Sequence, residues 1–239
     1  MTDSQSISVI IPVLNEASQI AATLASALAA LNAEPNGRKI EVLVADGGSQ
    51  DQTTEIAAGF DSVRVIACQQ ANRGWQMNQG AQAATGDVLL FLHADVTLPE
   101  GALAAIGQAL TDERVPGGCF QIRFPTSAPA SLRVVARGIN FRTRLFRTAT
   151  GDQAIFIRRG VFEEIGGFQI LPLMEDIALF NQMKRRGRVA VLDAQVEISP
   201  RRWLTHGVWR TVLLMYLLRF GYWLGIHPAT LKRFFIDVR

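Results

Sequence analysis

Cysteine is nearly missing from this chain. Cys68 and Cys119 are the only two in 239 residues, and they stand in no metal-ligand spacing. A disulfide framework is therefore not expected, and a reducing, cytoplasmic compartment is. No G-x-G-x-x-G fingerprint occurs, which leaves NAD or FAD binding without support. No aromatic-basic recognition module is visible, so nucleic acid is not the expected partner. The opening MTDSQS lacks the basic and apolar regions of a secretory leader. Internal repeats and low-complexity linkers are absent too. The longest apolar stretch, Val208 to Ile226, carries Arg210 and Arg219 inside it. Each would add a few kcal/mol, roughly, to the cost of inserting it across a bilayer. It reads as a helix lying in a membrane interface or packing on a partner, with an ordinary buried helix as the competing account.

What is present is a large apolar fraction, 49% of the residues, enough for a real core. The net charge of +3 is small, but the positive residues cluster in the C-terminal half, in RGINFRTRLFR, KRRGR, PRRW and LKRFF. That asymmetry suits an anionic small ligand or an anionic membrane surface. In the first half, short β-branched runs (SISVIIPV, IEVLVA, VRVIAC, DVLLFL) alternate with helical stretches. In the first helical stretch Ile20, Leu24, Leu28 and Leu31 fall at helical spacing. This predicts an α/β fold, a mixed and mostly parallel sheet flanked by helices. GGCFQIRF and GDQAIFIRR are expected as further strands, with an arginine-rich amphipathic helix between them. One domain over residues 1–203, with a C-terminal helical appendage over 204–239, is the economical division. Ligands of such sheets sit at the carboxyl ends of the strands, so the polar residues just after strands are the candidates.

Six stretches qualify. In P-V-L-N-E, Asn15 is placed to cap the next helix and Glu16 to sit in its first turn; the alternative is a turn facing a nucleotide. In A-D-G-G-S-Q-D, capping accounts for Ser49 or Asp51 but leaves Asp46, whose carboxylate is able to accept from a base or ribose. In N-R-G-W, Arg73 stands at a helix start, where anions bind. In F-L-H-A-D, His93 and Asp95 are one residue apart and, on an extended chain, point to the same side. Aspartate suits Mg²⁺ or Mn²⁺, whereas histidine suits Mn²⁺ rather than Mg²⁺. Such a sparse shell needs substrate phosphates to complete it. The competing account makes Asp95 a cap for the helix near Pro99. In P-L-M-E-D, Glu175 and Asp176 open a helix; acidic residues belong there without chemistry, yet a general base is needed from somewhere. In S-P-R-R-W, two arginines beside an aromatic are suited to phosphate.

The order of these elements resembles the family-2 glycosyltransferases of the GT-A fold: P-x-L-N-E, D-G-x-S-x-D-x-T, a D-x-D-like strand end, E-D, then R-R-W. The resemblance runs from about Ser6 to Trp203. GDQAIFIRR, LMED and the closing HPATLKRFFIDVR resemble more narrowly a bacterial subfamily linked to arsenosugar biosynthesis. The resemblance implies an inverting transfer from a nucleotide-diphosphate sugar, typically a UDP-sugar, to an acceptor it does not name. It places Pro12, Asn15, Glu16 and Asp46 around the base and ribose and Arg73 near the nucleotide. It also places His93 and Asp95 in the D-x-D slot with Mn²⁺ or Mg²⁺, and Asp176 as the base beside Glu175. Arg202 and Trp203 end the R-W element. His93 replaces the usual first aspartate, and Ser199 replaces a glutamine. Two other readings stay open: a non-catalytic nucleotide-sugar sensor or membrane scaffold, and a sugar-1-phosphate nucleotidyltransferase. The C-terminal helix leaves peripheral membrane contact and a homo-oligomer both open. Pocket shape is expected to depend on Gly117 to Phe124 and on the loop near Gly151.

Overall fold

The computed structural model describes residues 5–33 and 39–235. The first four apolar runs form strands β1 (Ile7–Val13), β2 (Ile40–Asp46), β3 (Val63–Ala67) and β4 (Val88–Phe91), and all pairing among them is parallel. Helices α1 (Ile20–Asn32), α2 (Thr53–Ala58) and α3 (Arg73–Ala83) make the crossovers. The second half adds β5 (Val96–Thr97), α4 (Ala102–Ala109), β6 (Gly117–Arg123) and α5 (Ala130–Phe146). A 3₁₀ turn (Gly151–Gln153), β7 (Ile155–Arg158), α6 (Arg159–Glu164), α7 (Glu175–Lys184) and β8 (Ala190–Ile198) follow. The eight strands form one sheet in the order β3-β2-β1-β4-β7-β6-β8-β5. β7 pairs antiparallel with both β4 and β6, β6 is parallel to β8, and β5 is antiparallel to β8.

Period-two alternation explains how the sheet carries a core on each face. Val9, Ile11 and Val13 of β1 point to one side, where Leu24 of α1, Leu103 of α4 and Leu132 of α5 cover them. Ile10 points to the other, with Leu43, Met77 of α3 and Leu179 of α7. Covered on both faces, β1 reads as an unbroken apolar run. β6 opens with Gly117 and Gly118 because no side chain fits there. A Cβ on Gly118 would lie 2.2 Å from the Ala190 carbonyl oxygen of β8.

The sequence missed β5 and β8. β5 has two residues, too few to show a period. β8 interleaves Asp193, Gln195 and Glu197 with apolar residues and is only half-buried, so it carries no clean run. The expected strand GDQAIFIRR is shorter than its sequence suggests. GDQ is the 3₁₀ turn, Ala154 takes a left-handed φ of 46°, and Arg159 begins α6.

Helices α8 (Arg201–His206), α9 (Val208–Trp223) and α10 (Pro228–Lys232) close the described chain. The division expected at 203/204 falls inside α8. Among the described residues no helix is long and apolar enough to cross a membrane. α9 buries Thr211, Leu218 and Gly221 but exposes Trp209, Leu213, Tyr216, Leu217, Phe220 and Trp223. Its two arginines part company: Arg210 is exposed, whereas Arg219 turns inward and donates to Thr148 Oγ1 at 2.6 Å.

Candidate functional site

The chain turns back at β1: β2 and β3 lie on one side of it and β4 on the other. The loops leaving β1 and β4 therefore flank a crevice at the carboxyl ends of parallel strands. Pro12 is buried inside β1, opposite Ala45, one residue before the strand ends. Asn15 does not cap α1, which begins five residues later at Ile20 without a side-chain cap. Its φ is 56°, and it staples the β1 loop to the β2 loop: its N–H donates to Ser49 Oγ (2.9 Å) and its Oδ1 accepts from Gln50 N–H (2.8 Å). Asp46 also has a local use that the sequence did not suggest. Its carboxylate accepts from Gly48 N–H (3.0 Å), Ser49 N–H (3.1 Å) and Ser49 Oγ (2.5 Å). Asp51 accepts from Thr53 N–H at the start of α2, whereas Ser49 is held between Asp46 and Asn15 and caps no helix. Gln76 of α3 locks the arrangement from below, donating to the carbonyls of Val13 and Ala45 at 2.7 and 2.8 Å.

His93 and Asp95 do not lie on an extended chain. β4 ends at Phe91, and Val96 N–H donates back to the His93 carbonyl (3.1 Å), which makes the segment a tight turn. Two distant contacts fix it. Thr23 Oγ1 of α1 donates to the Ala94 carbonyl (2.6 Å), and Ser199 N–H donates to the Asp95 carbonyl (3.0 Å). Nor does Asp95 cap the next helix, since α4 begins at Ala102 after a left-handed Gly101. Burial raises the Asp95 carboxyl pKa; nearby Arg202 opposes this and Asp152 adds to it. Glu16 is raised as well, by burial and by the charge of Asp95, while its partner Arg201 (3.3 Å) pulls it down. Glu16 is thus placed against α8 and Asp95, outside the first turn of α1.

The two adjacent acids of α7 have different surroundings. Met174, at a left-handed φ of 71°, aims them. Glu175 is buried and its Oε1 meets Arg73 Nη1 at 3.4 Å. Asp176 is half-buried, with Oδ2 accepting from Gly151 N–H (2.6 Å) and Oδ1 from Ile177 N–H (2.7 Å). Burial, then the charge of Glu175, pushes its carboxyl up to about 6 against these two amides. Gly151 is pinned on its other side, where a Cβ would lie 2.3 Å from Nε2 of His93. His93 itself titrates well below the usual imidazole range, because the half-buried ring is desolvated and faces the charges of Arg73 and Arg202.

A cavity of about 310 Å³ opens over these groups. Arg73, His93, Gly151, Asp152, Glu175, Asp176, Arg202 and Trp203 line one polar side, and α5 and α9 line much of the rest with mostly apolar residues besides Arg142 and Arg219. The structure thus gathers the candidates from four distant segments into one wall. Pro12, Asn15, Glu16, Asp46 and Asp95 lie outside that wall, on the adjoining strand edge. The loop near Gly151 shapes the cavity as expected, but no residue of Gly117 to Phe124 lines it. Phe124 acts behind it, edge-on to Trp203 at 5.8 Å. Arg202 lies over the Phe235 ring at 4.8 Å. Sequence reasoning missed Arg142, Asp152 and the inward turn of Arg219, and it offered Arg201 to phosphate where the structure pairs it with Glu16. Only GDQ carried a signal, and it reads as the start of a strand.

Residues 8–166 match the family described as glycosyl transferase family 2. That is more than half of the chain. The chain belongs to the family-2 glycosyltransferases. It is 34% identical over 176 residues to a PGL/p-HBAD biosynthesis glycosyltransferase of Mycobacterium bovis, covering 68% of this chain and 63% of that protein. It is 30% identical over 174 residues to glycosyltransferase AglE of Haloferax volcanii, covering 68% and 55%. The chain thus spans less than two thirds of the length of these relatives. Among solved structures, it is similar to the mannosyltransferase PcManGT of Pyrobaculum calidifontis, in complex with GDP-Man and Mn²⁺ (TM-score 0.71, 18% identity, 98% of this chain and 68% of that one). S. aureus TarS 1–349 with UDP-GlcNAc gives a TM-score of 0.65 at 18% identity, over 81% and 58%. The fold of this family-2 chain is GT-A, as expected.

Family membership raises the question of a divalent metal. Among the described residues no three His, Cys, Asp or Glu side chains gather as a metal-binding group. The donors present are the Asp95 carboxylate and, beside it in the turn, an imidazole held neutral. That set fits a hard ion which takes one carboxylate from protein and the rest from phosphate and water.

Asp176 also sets a stability signature. Its folded pKa of about 6 stands above the ordinary value of 3.8, so the folded chain holds this proton more tightly than the unfolded one. The resulting stabilisation is complete below 3.8 and lost as the pH rises through about 6. Compared with Asp176→Asn, the native chain is expected to lose unfolding free energy between those two values and to run parallel elsewhere. Urea denaturation across pH 3.5 to 8 measures this; parallel curves throughout would show that Asp176 titrates normally.

Proposed function

We propose that this chain moves a sugar from a nucleotide-diphosphate sugar to an acceptor hydroxyl by a single inverting displacement, with Asp176 as the general base. The observation that carries the reading is the Asp176 carboxylate: raised to about 6, half-buried, and facing a cavity whose polar side is lined by Arg73, His93 and Arg202. A base with a pKa just below neutral is largely ionised at pH 7 yet still binds a proton usefully. Two backbone amides fix its oxygens, so its orientation does not depend on the ligand. Glu175, turned toward Arg73, holds that arginine in place and raises Asp176 through its charge.

The donor reading draws on the crevice between the β1 and β4 loops and on the named complexes of the structural neighbours, UDP-GlcNAc for one and GDP-Man for the other. UDP is the preferred nucleotide. Asn15, Glu16 and Asp46, on loops stapled to each other, would form the edge that receives base and ribose; Pro12 shapes it from inside β1. Arg73, Arg202 and the Arg202–Trp203 end of the cavity would take the diphosphate, where charge develops as the bond breaks. Asp95, beside His93, would hold Mn²⁺ or Mg²⁺, whose contribution when bound is to neutralise the departing diphosphate.

The exposed side chains of the C-terminal half support a peripheral role. Phe141 and Leu145 of α5, and Trp209, Phe220 and Trp223 of α9, are exposed, as are Arg133, Arg137 and Arg210 on the same helices. Aromatic and basic residues together suit the headgroup zone of an anionic bilayer.

Asp176→Asn is expected to leave the calorimetric affinity for UDP within about twofold while transfer falls roughly 10²- to 10⁴-fold. In the native enzyme kcat/KM should rise as pH passes about 6; full transfer by the Asn variant would remove Asp176 from the base role. Asp95→Ala is expected to abolish the part of UDP affinity that depends on Mn²⁺, with unchanged titration curves counting against it. Flotation with phosphatidylglycerol vesicles should carry the chain, and Trp209→Ala with Trp223→Ala should weaken this. Equal flotation with neutral vesicles, or none, would sink the membrane reading.

A further inference from the structure

The cavity has a second polar end that the proposed chemistry does not use. Arg142 of α5 and Arg219 of α9 both line it. Nε and Nη2 of Arg142 and Nη1 of Arg219 are shut off from solvent and have no hydrogen-bond acceptor in the protein. Arg219 spends only its Nη2, on Thr148 Oγ1. Among the described residues neither guanidinium closes a salt bridge. Asp152 and Asp176 act on both through space only. Burial, then the charge of Arg219, lowers Arg142 to about 10. A guanidinium keeps its proton in proteins, so both side chains are cationic at neutral pH.

A buried N–H with no acceptor is destabilising, and more so when it carries charge. Here the cost is met at two like-charged groups facing one space, an arrangement that an anion offsets. Guanidinium donors match the planar or tetrahedral oxygens of carboxylate and phosphate. The rest of this end is apolar: Val135 and Ile139 of α5, and Trp209, Val212 and Met215 of α9. Trp209 is also largely exposed, so the apolar wall runs from the two arginines out to the surface.

We propose that Arg142 and Arg219 form an anion subsite that holds the phosphate or carboxylate of an amphiphilic acceptor, whose apolar part lies along α5 and α9. The subsite sits in the same cavity as Asp176, and it rests on the proposed function only in naming its occupant the acceptor. It is separate from the edge assigned to the nucleotide.

The test is calorimetric titration of the full chain with decyl phosphate, decanoate, uncharged decyl maltoside and inorganic phosphate, below micellar concentrations. Decyl phosphate or decanoate is expected to bind at least about tenfold more tightly than decyl maltoside and than inorganic phosphate, the size of one charge-assisted hydrogen bond. Arg142→Gln and Arg219→Gln, each alone, should remove that advantage, and Arg142→Lys should restore part of it. UDP titration of the same variants should match the native chain, which reports folding. Equal binding of decyl maltoside, or an advantage unchanged in both Gln variants, overturns the subsite. Inorganic phosphate binding as tightly as decyl phosphate overturns the amphiphile. Should the native chain fail to bind UDP while the arginines still select the anionic chain, the donor reading falls and the subsite stands.

Discussion

The amide of Gly151 holds together the polar side of the cavity. It donates to Asp176 Oδ2 at 2.6 Å, while the face where a Cβ would stand is filled by the His93 ring. Three segments more than twenty residues apart in sequence meet at this one small residue: the end of β4, the 3₁₀ turn and the start of α7. Any side chain there would displace the His93 ring or the turn that holds the Asp176 carboxylate, because packed interiors give by only tenths of an ångström. The turn is itself well anchored. Buried Gln153 bonds to the Phe120 carbonyl and to Thr143, so Gly151 is held by the sheet and by α5.

Around that point the polar network serves position first. Asp46, Asn15, Ser49 and Gln76 tie the carboxyl ends of β1 and β2 into one rigid edge, with almost every bond made inside the protein. A ligand arriving there finds its contacts already oriented, and the entropy of ordering the loops has been spent in folding. Glu16, Arg201 and Ser199 connect this edge to α8, and through Ser199 to the carbonyl of Asp95. This strand edge and the cavity are thus mechanically joined, although few side chains belong to both.

Neighbouring carboxylates acquire separate duties by the same means. Glu175 pairs with Arg73, whereas Asp176 accepts from two backbone amides and, buried beside the Glu175 charge, has a raised pKa. Both line the cavity, and one residue of helical rotation decides which of them meets Arg73 and which meets the Gly151 amide. The arginines divide similarly. Arg201 is engaged with Glu16 and Arg202 faces the cavity; Arg210 points to solvent and Arg219 points inward.

The strand–helix alternation, the two-faced sheet and the segments that end at the carboxyl edge of its strands are legible in the amino-acid order. Apolar period and the polar residues after strands are local signals, legible in β1, β2 and β4. The sequence also placed Asp176, Arg73 and His93 among the candidates, because each stands beside a recognisable strand end or helix start. What those groups touch came from the packing of distant segments. That packing turned F-L-H-A-D into a tight turn held by Thr23 and Ser199, gave Asp46 to its own loop and separated Glu175 from Asp176. It also brought Arg142 and Arg219, 77 positions apart in the numbering, into one cavity. Burial, pairing and pKa arise from contacts between distant segments, and no local pattern in this chain encodes which segments will meet.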